Sequence, residues 1–266
     1  MRRLWVVAVS VLLAGCAAVA PSTPPAAVVP FSINPPDVPR PRGWDELVIS
    51  RNKTPTDYRL VPDASDGTVV LRARARRSAS GLKQVLDIEP QVKPKVAWCW
   101  RLTGLIEGAD NQDRHAEDSP ARLLLFFDGD RSRLPARDQI ALDLAETLSG
   151  RPVPYATLMY IWENRQPVGT VIASAHTGRV KMVVAGSGGE DLGRWRRLER
   201  NYVADFERAF GEPPGRLVGV GIMTDTDNTG GEIEAYYGDI ELRHAALDDG
   251  LTDPLRTCAW GGQARR

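Results

Sequence analysis

Cysteine and histidine are scarce in this chain, three of each in 266 residues. So few cysteines exclude a small disulfide scaffold and a cysteine-rich zinc site. His115, His176 and His244 are too far apart to form an H-x-x-x-H zinc pair. Net charge is missing as well, with 34 Lys and Arg against 34 Asp and Glu. Without a net positive field to displace counterions, the sequence gives no ground for a nucleic-acid partner. There is no phosphate-binding P-loop and no G-x-G-x-x-G opening a helix after a strand. Gly186-Ser187-Gly188-Gly189 resembles a nucleophile elbow only superficially, because the second spaced glycine is lacking. A Ser-His-Asp set could still assemble through space, since triads are not local in sequence.

What is present is the composition of a globular protein: 42% hydrophobic and 26% charged residues, in a length suited to one large domain or two small ones. Arg2 and Arg3 precede an apolar run from Leu4 to Ala14. That run is short of the ~20 residues a spanning helix needs and suits a signal-peptide core. It ends in Leu13-Ala14-Gly15-Cys16, which resembles a bacterial lipobox. The resemblance implies cleavage before Cys16 and acylation of its sulfur and its new amino terminus. The alternative is an ordinary cleaved signal with a chance cysteine. Several acyl chains give stable anchoring where one does not. Ala17 after the cysteine, instead of aspartate, implies by the lipoprotein sorting rule an outer-membrane lipoprotein facing the periplasm of a Gram-negative bacterium.

The expected organisation is a signal peptide over 1–15, a lipidated cysteine with a proline-rich tether over 16–43, and one domain with a C-terminal tail over 44–266. Pro21, Pro24-Pro25, Pro30, Pro35-Pro36, Pro39 and Pro41 favour an extended polyproline II spacer. After export two cysteines remain, Cys99 and Cys258, and an oxidising compartment suggests one bridge between them. Such a bridge would pin the tail to the sheet; two buried free thiols are the alternative.

From Trp44 onward, strands dominate. Over 68–76, Val69, Leu71, Ala73 and Ala75 alternate with Val70, Arg72, Arg74 and Arg76, a clear period of two. The three arginines read most simply as a solvated sheet face, with anionic lipid or glycan binding as the other reading. Over 96–102, Val96, Trp98, Trp100 and Leu102 share a face that reads as core. Leu123–Phe127 is continuously apolar. Further strands are expected at 58–61, 157–162, 169–174, 180–185, 217–223 and 236–242. Helices are expected at 135–148, with Ile140, Leu144 and Leu148 on one face, and at 195–210, with Leu198, Tyr202, Phe206 and Phe210 on one face and Gly211 as the stop. Many short strands and two short helices indicate a mainly β fold, a jelly-roll-like antiparallel β-sandwich.

The most singular segment is Met223-Thr224-Asp225-Thr226-Asp227-Asn228-Thr229-Gly230. Asp225, Asp227 and Thr229, spaced by two before a glycine, match the first half of a calcium loop. The match then fails, because Tyr236 stands where an EF-hand needs a bidentate glutamate. Calcium at Asp225, Asp227 and Thr229 is one reading. A connection in which Asp and Asn side chains cap backbone amides is the other.

That segment, followed by Ala235-Tyr236-Tyr237-Gly238-Asp239-Ile240, resembles the bacterial family catalogued as domain of unknown function 3047. Pro120-Ala121-Arg122, Tyr160-Ile161-Trp162, Trp195, Arg200-Asn201, Asp205 and Phe210-Gly211 fit the same pattern, so the resemblance spans roughly 44–243. It implies no reaction and no catalytic residue. Its strand pattern is similar to the jelly rolls of carbohydrate-binding modules. The expectation drawn is a lipid-anchored envelope protein, more a saccharide binder than an enzyme. Its ligand would lie on a concave face bordered by Asp225, Asp227, Asn228, Trp162 and Arg122. A polysaccharide lyase or hydrolase using two carboxylates among Asp118, Glu163, Asp225, Asp227 and Asp239 is the alternative. An assembly factor meeting proteins through its sheet is the third.

Overall fold

A computed structural model of the chain describes residues 24–38, 40–149 and 151–245. Among the described residues, twelve strands form two sheets. In chain order they are β1 (Asp45–Leu47), β2 (Asp57–Pro62), β3 (Val69–Arg76), β4 (Ala79–Ile88), β5 (Lys95–Leu102), β6 (Arg122–Phe127), β7 (Ala156–Glu163), β8 (Val171–Ala173), β9 (Val180–Ser187), β10 (Arg196–Asn201), β11 (Leu217–Asp225) and β12 (Glu232–Arg243). Helix α1 (Ala136–Ser149) precedes β7 and α2 (Tyr202–Phe210) follows β10.

The sheets are ordered β1-β4-β11-β6-β7-β9-β8 and β10-β5-β12-β3-β2. From β3 to β6 successive strands pass from one sheet to the other. The last two then return, β11 between β4 and β6 and β12 between β3 and β5, the interleaving of a jelly roll. Pairing is antiparallel among the described residues except between β7 and β9, which run parallel. The architecture is the antiparallel sandwich expected, with this one parallel pair in it; β8 lies between β7 and β9 in sequence and joins the far edge of β9. The edge strands are short (β1, β8), rich in charge (β10), or end on proline (β2), features that discourage pairing with other chains.

The expected alternation places the core. Leu71 and Ala73 from β3, and Trp98, Trp100 and Leu102 from β5, turn inward to meet Leu123, Leu125 and Phe127 of β6 and Leu158, Tyr160 and Trp162 of β7. Trp98 stacks on Tyr160 at 5.0 Å and meets Trp100 edge-on at 5.4 Å, so the two sheets are joined through a layer of rings. Three strands escaped the sequence reading: β1, β4 and β10. In β4, Leu82, Leu86 and Ile88 face the core and are interrupted by Gln84, a polar residue on the apolar face.

Both helices differ from expectation. The stretch expected to begin the second helix is instead β10, paired with the open edge of β5 with Leu198 opposite Trp98. The helix starts only at Tyr202, where the Asn201 side chain accepts from the Ala204 amide at 3.1 Å, and stops at Gly211 in the left-handed region, as expected. In α1 the inward residue is Leu142, while Ile140 and Leu144 are exposed. The i, i+4 pair thus marks the outer side of the helix.

The tether also requires correction. Its second half belongs to the domain: Phe31 is only 1% exposed and packs on Trp44 at 4.8 Å. The Trp44 indole donates to the Val29 carbonyl at 3.0 Å, and the Val29 amide donates to Gln84 Oε1 at 2.8 Å. Gln84 is therefore polar because it receives this strap. Asp239 accepts from both the amide and the hydroxyl of Ser32, and Asn34 donates to the carbonyls of Pro30 and Phe31. Residues 31–37 run through bends and turns instead of an extended spacer, and Phe31 and Trp44 are buried against the domain. Cys16 and Cys258 lie outside the described residues, whereas Cys99 is fully buried beside Ala97 beneath Trp195.

Truncating Phe31 to alanine is expected to cost about 3–5 kcal/mol. Urea unfolding of the full chain checks this; a free spacer would leave the midpoint unchanged.

Candidate functional site

Arg122 opens β6, and because Leu123, Leu125 and Phe127 face the core, Arg122, Leu124 and Phe126 face outward from the seven-stranded sheet. Asp225 ends the neighbouring β11. Arg122 grips it in a fork, Nε to Oδ1 at 2.8 Å and Nη2 to Oδ2 at 3.1 Å. Both residues are almost fully buried. Burial works most strongly against the Arg122 charge, but the carboxylates of Asp225, Glu117 and Asp118 together hold the guanidinium above its ordinary range. Burial lifts the Asp225 carboxyl, the Arg122 guanidinium pulls it back, and Asp118 adds to the rise. The fork geometry is that of an ionised pair, and loss of either partner would leave the other charge buried alone.

The rest of the loop is fixed by Asp118. Its carboxylate accepts from the Asn228 amide at 3.2 Å, the Thr229 amide at 2.7 Å and the Thr229 hydroxyl at 2.7 Å. Asp227 pairs with Lys53, and Gly230 supplies the left-handed turn at φ 75°. Thr224 hydrogen-bonds the Pro120 carbonyl and the Tyr237 hydroxyl, while Thr226 receives the Ser78 amide. The Met223–Thr229 string is therefore a junction between strands, with nearly every side chain committed. Its capping carboxylate comes from position 118, not from within the loop.

Asp118, Asp225 and Asp227 each bring one oxygen within 4.8 Å of the others. Thr229, expected as a cation ligand, donates its hydroxyl to Asp118 instead. A calcium ion entering here must displace Lys53 and compete with Arg122 and the loop amides for the same oxygens. Glu117 sits beside this cluster, 4.0 Å from His176, and burial raises its carboxyl although Arg122 and His176 oppose the rise.

Of the expected ligand set, Asn228 is exposed, whereas the Asp227 side chain is 9% exposed beside Lys53, and Asp225, Trp162 and Arg122 are buried. Trp162 is 2% exposed, so its expected place at a ligand rim is corrected. It faces inward at 6.2 Å from Trp100, over Gly186, where a Cβ would lie 2.3 Å from the indole. Arg122 likewise offers no free face. The structure brings Trp162 close to Asp225 only through Ser119, whose hydroxyl donates to the Trp162 carbonyl and whose amide donates to Asp225. The expected concave face bordered by both is therefore not formed, because the two side chains point to opposite sides of the sheet. The other carboxylates are also occupied: Glu163 by the amides of Arg165 and Gln166, and Asp239 by Ser32.

A different constellation lies on the outer face of the five-stranded sheet. Register sets Arg101 of β5, Tyr236 of β12, Arg72 of β3 and Arg59 of β2 side by side. Trp195, just before β10, extends the row. The Arg101 guanidinium lies over the Trp195 ring at 5.0 Å and the Tyr236 ring at 4.3 Å. Asp63 anchors both members of one end, accepting from the Trp195 indole at 3.1 Å and lying 3.0 Å from Arg101. Against burial, hydrogen bonds from Ser65 and the Arg101 charge hold the Asp63 carboxyl below its usual range. The arginine face expected on β3 is present and cross-paired, Arg74 with Glu234 at 2.8 Å and Arg76 with Glu232 at 3.3 Å. Beside it an open shelf of about 480 Å³ is lined by Arg74, Arg76, Thr103, Glu232 and Glu234 among others. Nothing local in the sequence joins Trp195, Arg101 and Tyr236; only strand register does.

A family model described as "Protein of unknown function (DUF3047)" matches residues 42–241. No curated protein matches the chain in sequence. Among solved structures, the chain is similar to the N-terminal CBM22-1-CBM22-2 tandem domain of Paenibacillus barcinonensis Xyn10C at 12% identity and TM-score 0.34, covering 87% of this chain and 49% of that one. It is similar to a β-1,2-glucanase from Parabacteroides distasonis at 12% identity and TM-score 0.31, covering 77% of this chain but 23% of the glucanase. The K3 adhesin domain of Lys-gingipain from Porphyromonas gingivalis gives 10% identity and TM-score 0.33, covering 82% and 99%. The chain thus spans less than half of the Xyn10C tandem domain and under a quarter of the glucanase.

Thermal melts in excess calcium and in EDTA are expected to coincide. A rise of roughly 5–11 °C that disappears in Asp225→Ala would instead mark a bound cation at about 100 times its dissociation constant. A raised carboxyl binds its proton more readily in the folded chain than in the unfolded one, so stability falls as pH rises through that window. Glu117→Gln is therefore expected to raise the melting midpoint at pH 7 and to leave it nearly unchanged at pH 4, measured by pH-resolved melts.

Proposed function

We propose, from the premise that the chain belongs to the DUF3047 family, that it is a non-catalytic saccharide-binding protein of the bacterial cell envelope. Its outer-membrane anchor would be acylated Cys16, a reading supported by the Leu13-Ala14-Gly15-Cys16 string. The observation that carries the binding reading is the row of Trp195, Arg101, Tyr236, Arg72 and Arg59 across the five-stranded sheet. Saccharide recognition takes apolar ring surface against C–H faces together with fixed hydrogen-bonding groups for hydroxyls. The row supplies half-buried rings held in place by Arg101 and Asp63, and the adjoining shelf supplies Thr103, Arg74 and Glu234. An extended glycan lying across the strands would touch both.

Binding without turnover is favoured by the state of the carboxylates. A glycosidase needs two carboxyl groups ~5–9 Å apart, one accepting the sugar and one free to move a proton. Asp118, Glu163, Asp225 and Asp239 are instead held by amides, hydroxyls or a guanidinium.

The test is retention of the full chain on immobilised peptidoglycan, lipopolysaccharide and a neutral glucan. Trp195→Ala and Tyr236→Ala are each expected to weaken retention about tenfold or more on the ligand that binds, with no new reducing ends released. Equal retention of both variants, or release of product, would overturn the reading.

A further inference from the structure

The outer face of the seven-stranded sheet carries a second concavity, remote from the aromatic row and independent of the saccharide reading. It is a groove of about 440 Å³ between β1 and β4 on one side and the segment 151–155 on the other. Its floor is the Phe126 ring. That ring can lie against β11 only because Gly219 and Gly221 lack side chains: a Cβ at either would come within 3.1 or 3.2 Å of it. One wall is Val48 and Val85, which remain 46% and 54% exposed, and the other is Val153 with its flanking prolines. Exposed aliphatic side chains gathered on one concave surface mark a binding site more often than isolated ones do.

The chemistry of the lining selects among ligands. No tryptophan lines this groove; the Gln84 side chain turns inward to the strap through Val29 and Ala27, and the hydroxyl of Tyr155, which lines the groove, donates to Glu212 at 2.9 Å. Hydroxyl-rich ligands would therefore find few partners. The charged lining residues are Lys83, Arg131 and Arg151 against Asp128. Arg131 is fixed by Glu146 and by the Val153 carbonyl, so it borders the groove as a rigid post.

We propose that this groove binds a single-chain amphiphile with an anionic head, its aliphatic chain laid on Phe126 between Val48, Val85 and Val153 and its head toward Lys83 and Arg151. Charge complementarity identifies the head, and aliphatic walls without free hydrogen-bonding groups identify the tail. The volume suits one chain. A bilayer surface would need a projecting apolar edge, whereas this one is recessed.

Laurate below its micellar concentration is the probe, titrated calorimetrically into the full chain, with dodecyltrimethylammonium and anionic phosphatidylglycerol vesicles as comparisons. The expected result is saturable one-to-one laurate binding. It should be weakened about tenfold or more by Val85→Glu, which places a charge in the wall, and by Lys83→Glu with Arg151→Glu. Val168→Glu, an exposed valine elsewhere, should bind as the parent does. Melting curves verify that each variant folds. Equal binding of the cationic amphiphile, unchanged affinity in Val85→Glu, or binding to vesicles alone would overturn the proposal.

Discussion

The buried fork between Arg122 and Asp225 is the contact around which one end of the sandwich is arranged. It joins the beginning of β6 to the end of β11, adjacent central strands of the larger sheet. Two charges removed from water are tolerated only when each polar atom finds a partner. That requirement propagates outward. Arg122 Nη2 also donates to the Glu117 carbonyl, and the Ser119 amide completes Asp225. Asp118 is thereby set beneath the loop after β11, where it receives the backbone of Asn228 and Thr229. A segment that reads as half a metal loop is in this way consumed by holding the chain together.

The two outer faces then differ in chemistry although both belong to one sandwich. On the five-stranded side, long polar side chains and two half-buried rings cover the pleat, with arginine stems lying over the strands and their heads paired across register. On the seven-stranded side, Ala79, Leu124, Phe126 and Met223 form an apolar layer of their own, and glycines of β11 admit Phe126 to it. A sheet with its inner face already in the core has no structural need for a second apolar layer. The polar face and the apolar groove therefore present opposite chemistry to solvent.

Much of this architecture was legible in the residues. Period-two alternation over 68–76 and 96–102 located β3 and β5 and their inward faces, because side chains of a strand alternate regardless of context. Gly211 announced the end of α2. The misreadings share one cause, that an apolar or polar residue was assigned by its neighbours in sequence when its partner was remote. Leu198 looked helical beside Tyr202, yet β5 had an open edge for it to join. Gln84 broke the apolar face of β4 because it awaited the strap. Phe31 was hidden among prolines, and Trp162 looked like a rim residue because Glu163 and Asn164 follow it.

The sequence by itself determined the fold class, the family and the composition of the junction string, since these rest on local periodicity and on a contiguous run of residues. Tertiary structure decided what those residues do. The charges of Asp225 and Arg122 became a structural clamp, Trp195, Arg101 and Tyr236 became one row, and Phe126 became a groove floor. Each depends on strand register and on burial, which set distances between positions up to 135 residues apart, as between Arg101 and Tyr236. No local pattern encodes such distances, because they arise only when two sheets close over a common core.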